Sequence, residues 1–255
     1  RWLGCIENPR AGREAIESAR SALDDRPGPA GRSVQKRVLV VGAGPGGLQA
    51  AIAAAHAGHD VTVLEREDQA GGQVRLAASV PNRAELGDMI RNQLNECRRF
   101  GVSIEYGIDA TAELIRARRP DHVIVATGAE AQRPWWVEGT VTNACDIRDV
   151  LTGAAAPAGD VVVIDEIGFH HATSVAELLA DRGCRVEIAT PGMVVGQDLG
   201  ITLDMENWWI RATAKGIVQS TDLVPVGFDG ETLTLLHHPT GINQTRTPDW
   251  VVLAV

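Results

Sequence analysis

Residues 38 to 47 read Val-Leu-Val-Val-Gly42-Ala43-Gly44-Pro45-Gly46-Gly47, a short β-branched run that ends in a cluster of glycines. Gly42, Gly44 and Gly47 stand at the three positions of a dinucleotide-binding turn, and each does a different job. The first makes the tight turn, the second lets backbone approach a pyrophosphate, and the third lets helix and strand pack closely. A pyrophosphate placed there meets the free N–H groups and the positive dipole end of the following helix. The residues after the turn support that reading. Small residues continue as a helix to Ala57, Gly58 stops it, and Val61 to Leu64 form a second strand, completing one βαβ unit. Glu65 follows that strand at about the 20-residue distance at which an acidic side chain accepts hydrogen bonds from the adenosine ribose. A carboxylate there also repels a 2'-phosphate. The candidate nucleotide site is therefore Gly42, Ala43, Gly44, Pro45, Gly46, Gly47 and Glu65, with Arg66 beside it.

Further along the same unit, Gly72 and Gln73 in Gly71-Gly72-Gln73 are candidates for a loop that passes close to the ligand, against the plain-loop alternative. Thr127 and Gly128 follow a last strand, His122 to Ala126, and belong at the carboxyl edge of a parallel sheet, where ligands bind. Between them, Leu86, Met89, Ile90, Leu94, Cys97 and Phe100 recur at three- and four-residue spacing, which predicts an amphipathic helix ending at Gly101 before a strand at Val102 to Tyr106.

A second β-helix-β pattern then starts afresh, with Val161 to Ile164, a helix from about His171 to Arg182, and Val186 to Ala189. Its turn has lost the fingerprint. Asp165, Ile167 and His170 occupy the three glycine positions and Thr190 stands where Glu65 does, so a repulsive carboxylate, a blocked approach and a bulky contact argue against NAD(P) binding. A helix near Thr202 to Ala214, a strand at Ile217 to Ser220, and a hairpin turning at Asp229-Gly230 between Val224 to Phe228 and Thr232 to Leu236 complete the pattern. The ending Pro248-Asp249-Trp250-Val251-Val252-Leu253-Ala254 echoes Pro120-Asp121-His122-Val123-Ile124-Val125-Ala126, so each unit is expected to close with the same kind of strand.

The fold class is thus α/β, with two Rossmann-like parallel-sheet domains. The expected boundaries are 1–33 for an N-terminal segment and Pro/Gly-rich linker, 34–152 with 245–255 for the FAD-like domain, and 153–244 for the degenerate NAD(P)-like domain. Neither end reads as a natural terminus, and the chain is expected to be part of a larger protein. A net charge of -9 and a pI near 5.3 argue against nucleic acid or an anionic membrane as partner. No apolar run of spanning length and no signal pattern appear, so the expected location is cytoplasmic. Cys5, Cys97, Cys145 and Cys184 are scattered, with no CxxC pair, as in a reducing compartment. His170-His171 and His237-His238 lack companions at ligand spacing and read as surface or turn residues. Trp135-Trp136 and Trp208-Trp209 read as packing residues, and the Asn243-Gln244-Thr245 sequon carries no weight. No catalytic constellation is found.

Taken together, Cys5-Ile-Glu-Asn8-Pro9-Arg-Ala-Gly12-Arg13-Glu14, the fingerprint at Gly42 to Gly47, Leu64-Glu65, Gly71-Gly72-Gln73, Ala126-Thr127-Gly128 and Asp149-Val150-Leu151 resemble the C-terminal half of the 2,4-dienoyl-CoA reductase and trimethylamine dehydrogenase family, relatives of the old yellow enzymes. The resemblance implies a flavoprotein oxidoreductase in which an N-terminal FMN barrel carries out substrate chemistry and a four-iron cluster passes electrons onward, and whose C-terminal half has the two Rossmann-like parallel-sheet domains of glutathione reductase type flavoproteins, the FAD-like domain interrupted by a NAD(P)-like one. It implies FAD, or ADP in its place, in the present chain, which on its own is expected to be inactive. It also makes Cys5 the fourth cluster ligand of the full-length protein. The eroded second turn is more similar to the amine dehydrogenase branch than to the reductases. The alternative is a non-catalytic module holding ADP as a structural ligand.

Overall fold

The computed structural model describes Cys5, residues 11–13, Ala15 and residues 34–255. Apart from Cys5, residues 11–13 and Ala15, the N-terminal segment and Pro/Gly-rich linker expected over 1–33 lie outside the described residues. Two compact units result, one reaching to Ala78 and resuming over Ala84–Ala129, the other comprising Ser79–Arg83 and Glu130–Val255.

In the first unit β1 (Arg37–Val41) leads through the glycine turn into α1 (Pro45–His56), then β2 (Asp60–Leu64), α2 (Gln73–Ala78), α3 (Leu86–Arg99), β3 (Ser103–Glu105), α4 (Ala112–Arg118) and β4 (His122–Val125). The strands pair in parallel in the order β3-β2-β1-β4. Gly47, Leu48, Ala51 and Ile52 form the buried face of α1, and they pack with Val38, Val40, Val61 and Val63 of the sheet and with Ile90 and Cys97 of α3. The small residues of α1 therefore serve close helix–sheet packing. The short helices α2 and α4 carry no strong periodicity and are absent from the sequence reading. Thr111 caps α4 by accepting the Leu114 N–H at 3.3 Å.

The second unit runs β5 (Ala144–Asp146), α5 (Ile147–Thr152), β6 (Asp160–Asp165), α6 (His170–Asp181), β7 (Arg185–Ala189), a 3-10 turn (Gln197–Thr202), α7 (Met205–Ala214), β8 (Val218–Ser220), β9 (Leu223–Phe228), β10 (Leu233–His237), β11 (Ile242–Arg246) and β12 (Trp250–Ala254). Its parallel sheet has the order β5-β12-β6-β7-β8, and β11-β10-β9 form a separate antiparallel sheet. The strand β6 shows why its run of Val and Ile is continuous. Val161 and Val163 face a core shared with Val175 and Leu179 of α6, while Val162 and Ile164 face Phe228, Leu233 and Leu235 of the antiparallel sheet, so both faces are covered.

The echo between Asp121 and Asp249 has a structural reason. Asp121 Oδ2 accepts the Arg37 N–H at 2.7 Å at the start of β1, and Asp249 Oδ2 accepts the Asp160 N–H at 2.8 Å at the start of β6. The strand that follows each aspartate then pairs in parallel with that first strand, β4 with β1 and β12 with β6.

Three expectations are corrected. The terminal strand does not join the first sheet: β12 lies between β5 and β6, so the division at 152 with 245–255 returned to the FAD-like domain gives way to a boundary at Ala129/Glu130. The echo agrees with this placement, since β12 pairs with the first strand of its own unit as β4 pairs with β1. The helix expected from Thr202 is broken by Leu203, which takes a left-handed φ of 59°, into the 3-10 turn and α7. The expected hairpin gains a third strand, β11, across the sequon dismissed above. Its turn is held by Asp229 Oδ1, which accepts the N–H groups of Glu231 and Thr232 at 2.8 and 2.7 Å.

Candidate functional site

At the carboxyl ends of β1, β2 and β4 the segments singled out in the first unit come together. Gly42 has a φ of 101° and donates its N–H to Leu64 O at 2.8 Å, tying the turn to the end of β2. A Cβ at Gly42 would collide with the Ala126 carbonyl, and one at Gly47 with the Gly42 carbonyl. These two glycines are required by protein packing alone. Gly44 differs, because a Cβ there would meet nothing within 4 Å. The space over Gly44 is the cradle a pyrophosphate would fill. The first-turn N–H groups of α1 have no intrahelical partner and open onto that end of the helix.

Glu65 is buried, at 6% exposure, although it is a carboxylate. Its Oε2 accepts the Ala43 N–H at 2.6 Å and its Oε1 accepts the Glu67 N–H at 3.0 Å. A carboxylate with two oxygens has about four acceptor positions, so one backbone donor on each oxygen leaves capacity for ribose hydroxyls. The glycine turn and the acid are therefore locked to each other. Arg66 points away in the exposed direction, with Nε 3.3 Å from Glu67 Oε1.

The loop after β2 returns to the turn. Gly71 donates to Ala43 O at 2.9 Å, and a Cβ on Gly72 would stand 3.4 Å from Gly44 Cα. Gln73 starts α2, and its Nε2 donates to Ala129 O at 3.1 Å, drawing the Thr127-Gly128 segment to the same place. Gly42 to Gly47, Glu65, Gly72, Gln73, Thr127 and Gly128 thus share one end of one sheet.

Sequence reasoning missed Gln93. It sits on the buried face of α3 with Ile90 and Cys97 and donates from Nε2 to Pro45 O at 3.0 Å, bracing the first residue of α1. The available signal was a polar residue inside an apolar stripe. Burial pushes the Cys97 thiol up to about 11 and that of Cys145 to about 12, so neither is a nucleophile near neutrality. Cys5 is exposed, and among the described residues no three His, Cys, Asp or Glu side chains gather at a metal-holding distance.

In the second unit the equivalent end of the sheet is filled. Asp165 is fully buried, and Thr190, at the place of Glu65, is buried with its hydroxyl accepting the Gly192 N–H at 3.2 Å. Contrary to its reading as a surface residue, His170 lies in a half-buried network. Its Nδ1 is 2.6 Å from Arg83 Nη2, which also donates to Asp204 Oδ2 at 2.6 Å, and its Nε2 is 3.3 Å from Thr202 Oγ1. Arg211 extends the network by pairing with the buried Glu177 at 2.9 Å. Burial, and then the Arg83 guanidinium, lower the His170 pKa to about 4. His237 stays at an exposed turn, its Nδ1 2.7 Å from Thr240 Oγ1. Trp136 and Trp208 are core residues, as expected, whereas Trp135 is exposed.

A parallel sheet with an open glycine turn, an acid locked to it and a second sheet of the same topology defines a dinucleotide-binding flavoprotein of the two-Rossmann type. The chain belongs to the pyridine nucleotide-disulphide oxidoreductase family, whose model matches residues 36–164. It is 33% identical over 98% of its length to the N,N-dimethylglycine/sarcosine dehydrogenase of Chromohalobacter salexigens, of which it covers 36%. It is 38% identical over 73% of its length to the NADH oxidase of Thermoanaerobacter brockii, of which it covers 28%. Among solved structures, a 2-naphthoyl-CoA reductase complex matches with a TM-score of 0.83 and 28% identity over 99% of this chain and 36% of that one. The chain therefore spans about a third of these relatives. These likenesses support the flavoprotein resemblance drawn from the motifs.

Proposed function

We propose that this chain holds the adenine dinucleotide FAD at the first unit and serves as the electron-transfer part of a larger cytoplasmic oxidoreductase. The observation that carries it is the open space over Gly44 beside a buried Glu65 that is hydrogen-bonded to the turn. Gly42, Ala43, Gly44, Pro45, Gly46 and Gly47 would cradle the pyrophosphate. Glu65 would accept from the ribose, with Arg66 at its edge, and Gly72, Gln73, Thr127 and Gly128 would line the continuation towards the flavin. When bound, the isoalloxazine supplies the redox chemistry, and ADP in the same place would supply none. The chain's own contribution is to bind and orient. The turn excludes side chains from the phosphate path, the helix end offers N–H groups to its charge, and Glu65 selects an unphosphorylated ribose by acceptor geometry and repulsion.

The full-length protein, on this reading, adds an N-terminal FMN barrel as the site of substrate chemistry and a 4Fe-4S cluster to which Cys5 contributes a ligand. The exposure of Cys5 and the one-third coverage of the relatives support this. The second unit takes no NAD(P)H, because Asp165 and Thr190 stand buried in the places where a turn glycine and a ribose acid are needed. Purified protein tests the reading directly. Flavin absorbance together with FAD released on heating is the expected result. Colourless protein releasing ADP would make the first unit a structural nucleotide module, and protein releasing neither would overturn nucleotide binding at this turn.

A further inference from the structure

Asp165 ends β6, where the first unit has Gly42, and its side chain is turned inward onto the loop that follows. Oδ1 accepts the Gly168 N–H at 2.8 Å, and Gly168 takes a φ of 72° that favours glycine. Oδ2 is buried without a hydrogen-bond partner. Gly196 belongs to the segment leading into the 3-10 turn, and that segment is tied to the same loop by the Asp198 N–H donating to Gly168 O at 2.8 Å. A fully buried carboxylate, one oxygen bound to a loop N–H and the other left without a partner, thus stands just before the N-terminal end of α6, where helix N–H groups favour an anion.

We propose that Asp165 is the built-in occupant of the second unit's phosphate-binding turn, a carboxylate of the chain standing where an external phosphate would bind. The turn is not merely blocked. The Gly168 N–H is taken up by an internal acceptor, and the segment after Gly196 is tied to the same loop through the Asp198 N–H on Gly168 O. Asp165 is thus a positioning residue for the carboxyl edge of the second sheet. The cost of burying it shows in its carboxyl, which burial raises above the usual range against the pull of the Gly168, Ile167 and Gly196 N–H groups and of nearby His171. The inference is independent of whether the first unit holds FAD or ADP.

Chemical rescue in the full-length protein tests it. Asp165→Ala removes the carboxylate and leaves its space and donors, so the melting midpoint should fall by several degrees and formate should restore it saturably, with chloride at equal ionic strength inactive. Wild type should show no formate response beyond chloride. Asp165→Leu fills the space with an apolar group and should be destabilised without rescue. If the alanine variant does not accumulate folded, its refolding yield from denaturant with and without formate reads the same quantity. Equal formate responses in wild type and the alanine variant would overturn the proposal. So would a leucine variant as stable as wild type, since the site would then need only volume.

Discussion

The two units begin alike, with a buried parallel strand, a turn and a helix, and they treat the end of that strand in opposite ways. At Gly44 a side chain would meet nothing within 4 Å, and the nearest acid, Glu65, faces the turn from the neighbouring strand. In the second unit the acid is on the turn itself, fully buried, and takes up the Gly168 N–H. The same topology therefore gives one open anion site and one closed by its own anion. In the first unit Gly42 and Gly47 answer to the packing of strand, turn and helix, and Gly44 is the turn glycine whose open space would admit a ligand's phosphate.

The largest expected effect comes from closing the first turn as the second is closed. Gly44→Asp should eliminate nucleotide retention, because its carboxylate would occupy the space over the turn, and chromatography of heat-released ligand should find none. Unchanged ligand content would break the comparison. Glu65→Ala should act less severely. Losing a charge-assisted hydrogen bond costs roughly 1.5 to 3 kcal/mol, which weakens adenine nucleotide affinity by about tenfold or more. Calorimetry with ADP reads this, and equal affinity would remove Glu65 from the ribose.

Two smaller effects sharpen the parallel. Asp121→Ala and Asp249→Ala remove the same anchor from the start of β1 and of β6, so both should lower the melting midpoint modestly and by similar amounts in calorimetric scans. A large effect at one and none at the other would show that the echoed phrase has different roles. The smallest concerns His170. Its pKa is held at about 4 against an ordinary 6.5, so the unfolded chain binds the proton more readily than the folded one. Its contribution is complete above pH 6.5 and is lost as pH falls from 6.5 towards about 4. His170→Gln should flatten the decline in melting midpoint across that window, and an unchanged slope would show the network is indifferent to this proton. The raised carboxyl of Asp165 works in the opposite sense, favouring the folded state as pH falls.

Much of the first site was legible because its requirements are local in sequence. A turn that collides with the Ala126 carbonyl unless residue 42 is glycine, and an acid one strand later, leave marks at fixed spacing. Gln93 and the three-stranded antiparallel sheet were not legible in the same way. Gln93 acts through a bond to Pro45, 48 residues away, and β11 has a single apolar residue, Ile242, to announce it. The placement of the terminal strand was misread because the repeated Pro-Asp phrase states a role and leaves the partner strand unnamed.

By itself the sequence determined the class of fold, the glycine turn, the acid one strand later and the loss of glycines in the second unit, since each depends on residue size or charge at fixed spacing. Only the tertiary structure decided which sheet received β12, which way Asp165 turned, and that His170 meets Arg83 and Asp204 in a half-buried network. Those outcomes depend on groups 87 to 121 residues apart, or on a side chain choosing between solvent and its own backbone, and that choice is made by packing around it.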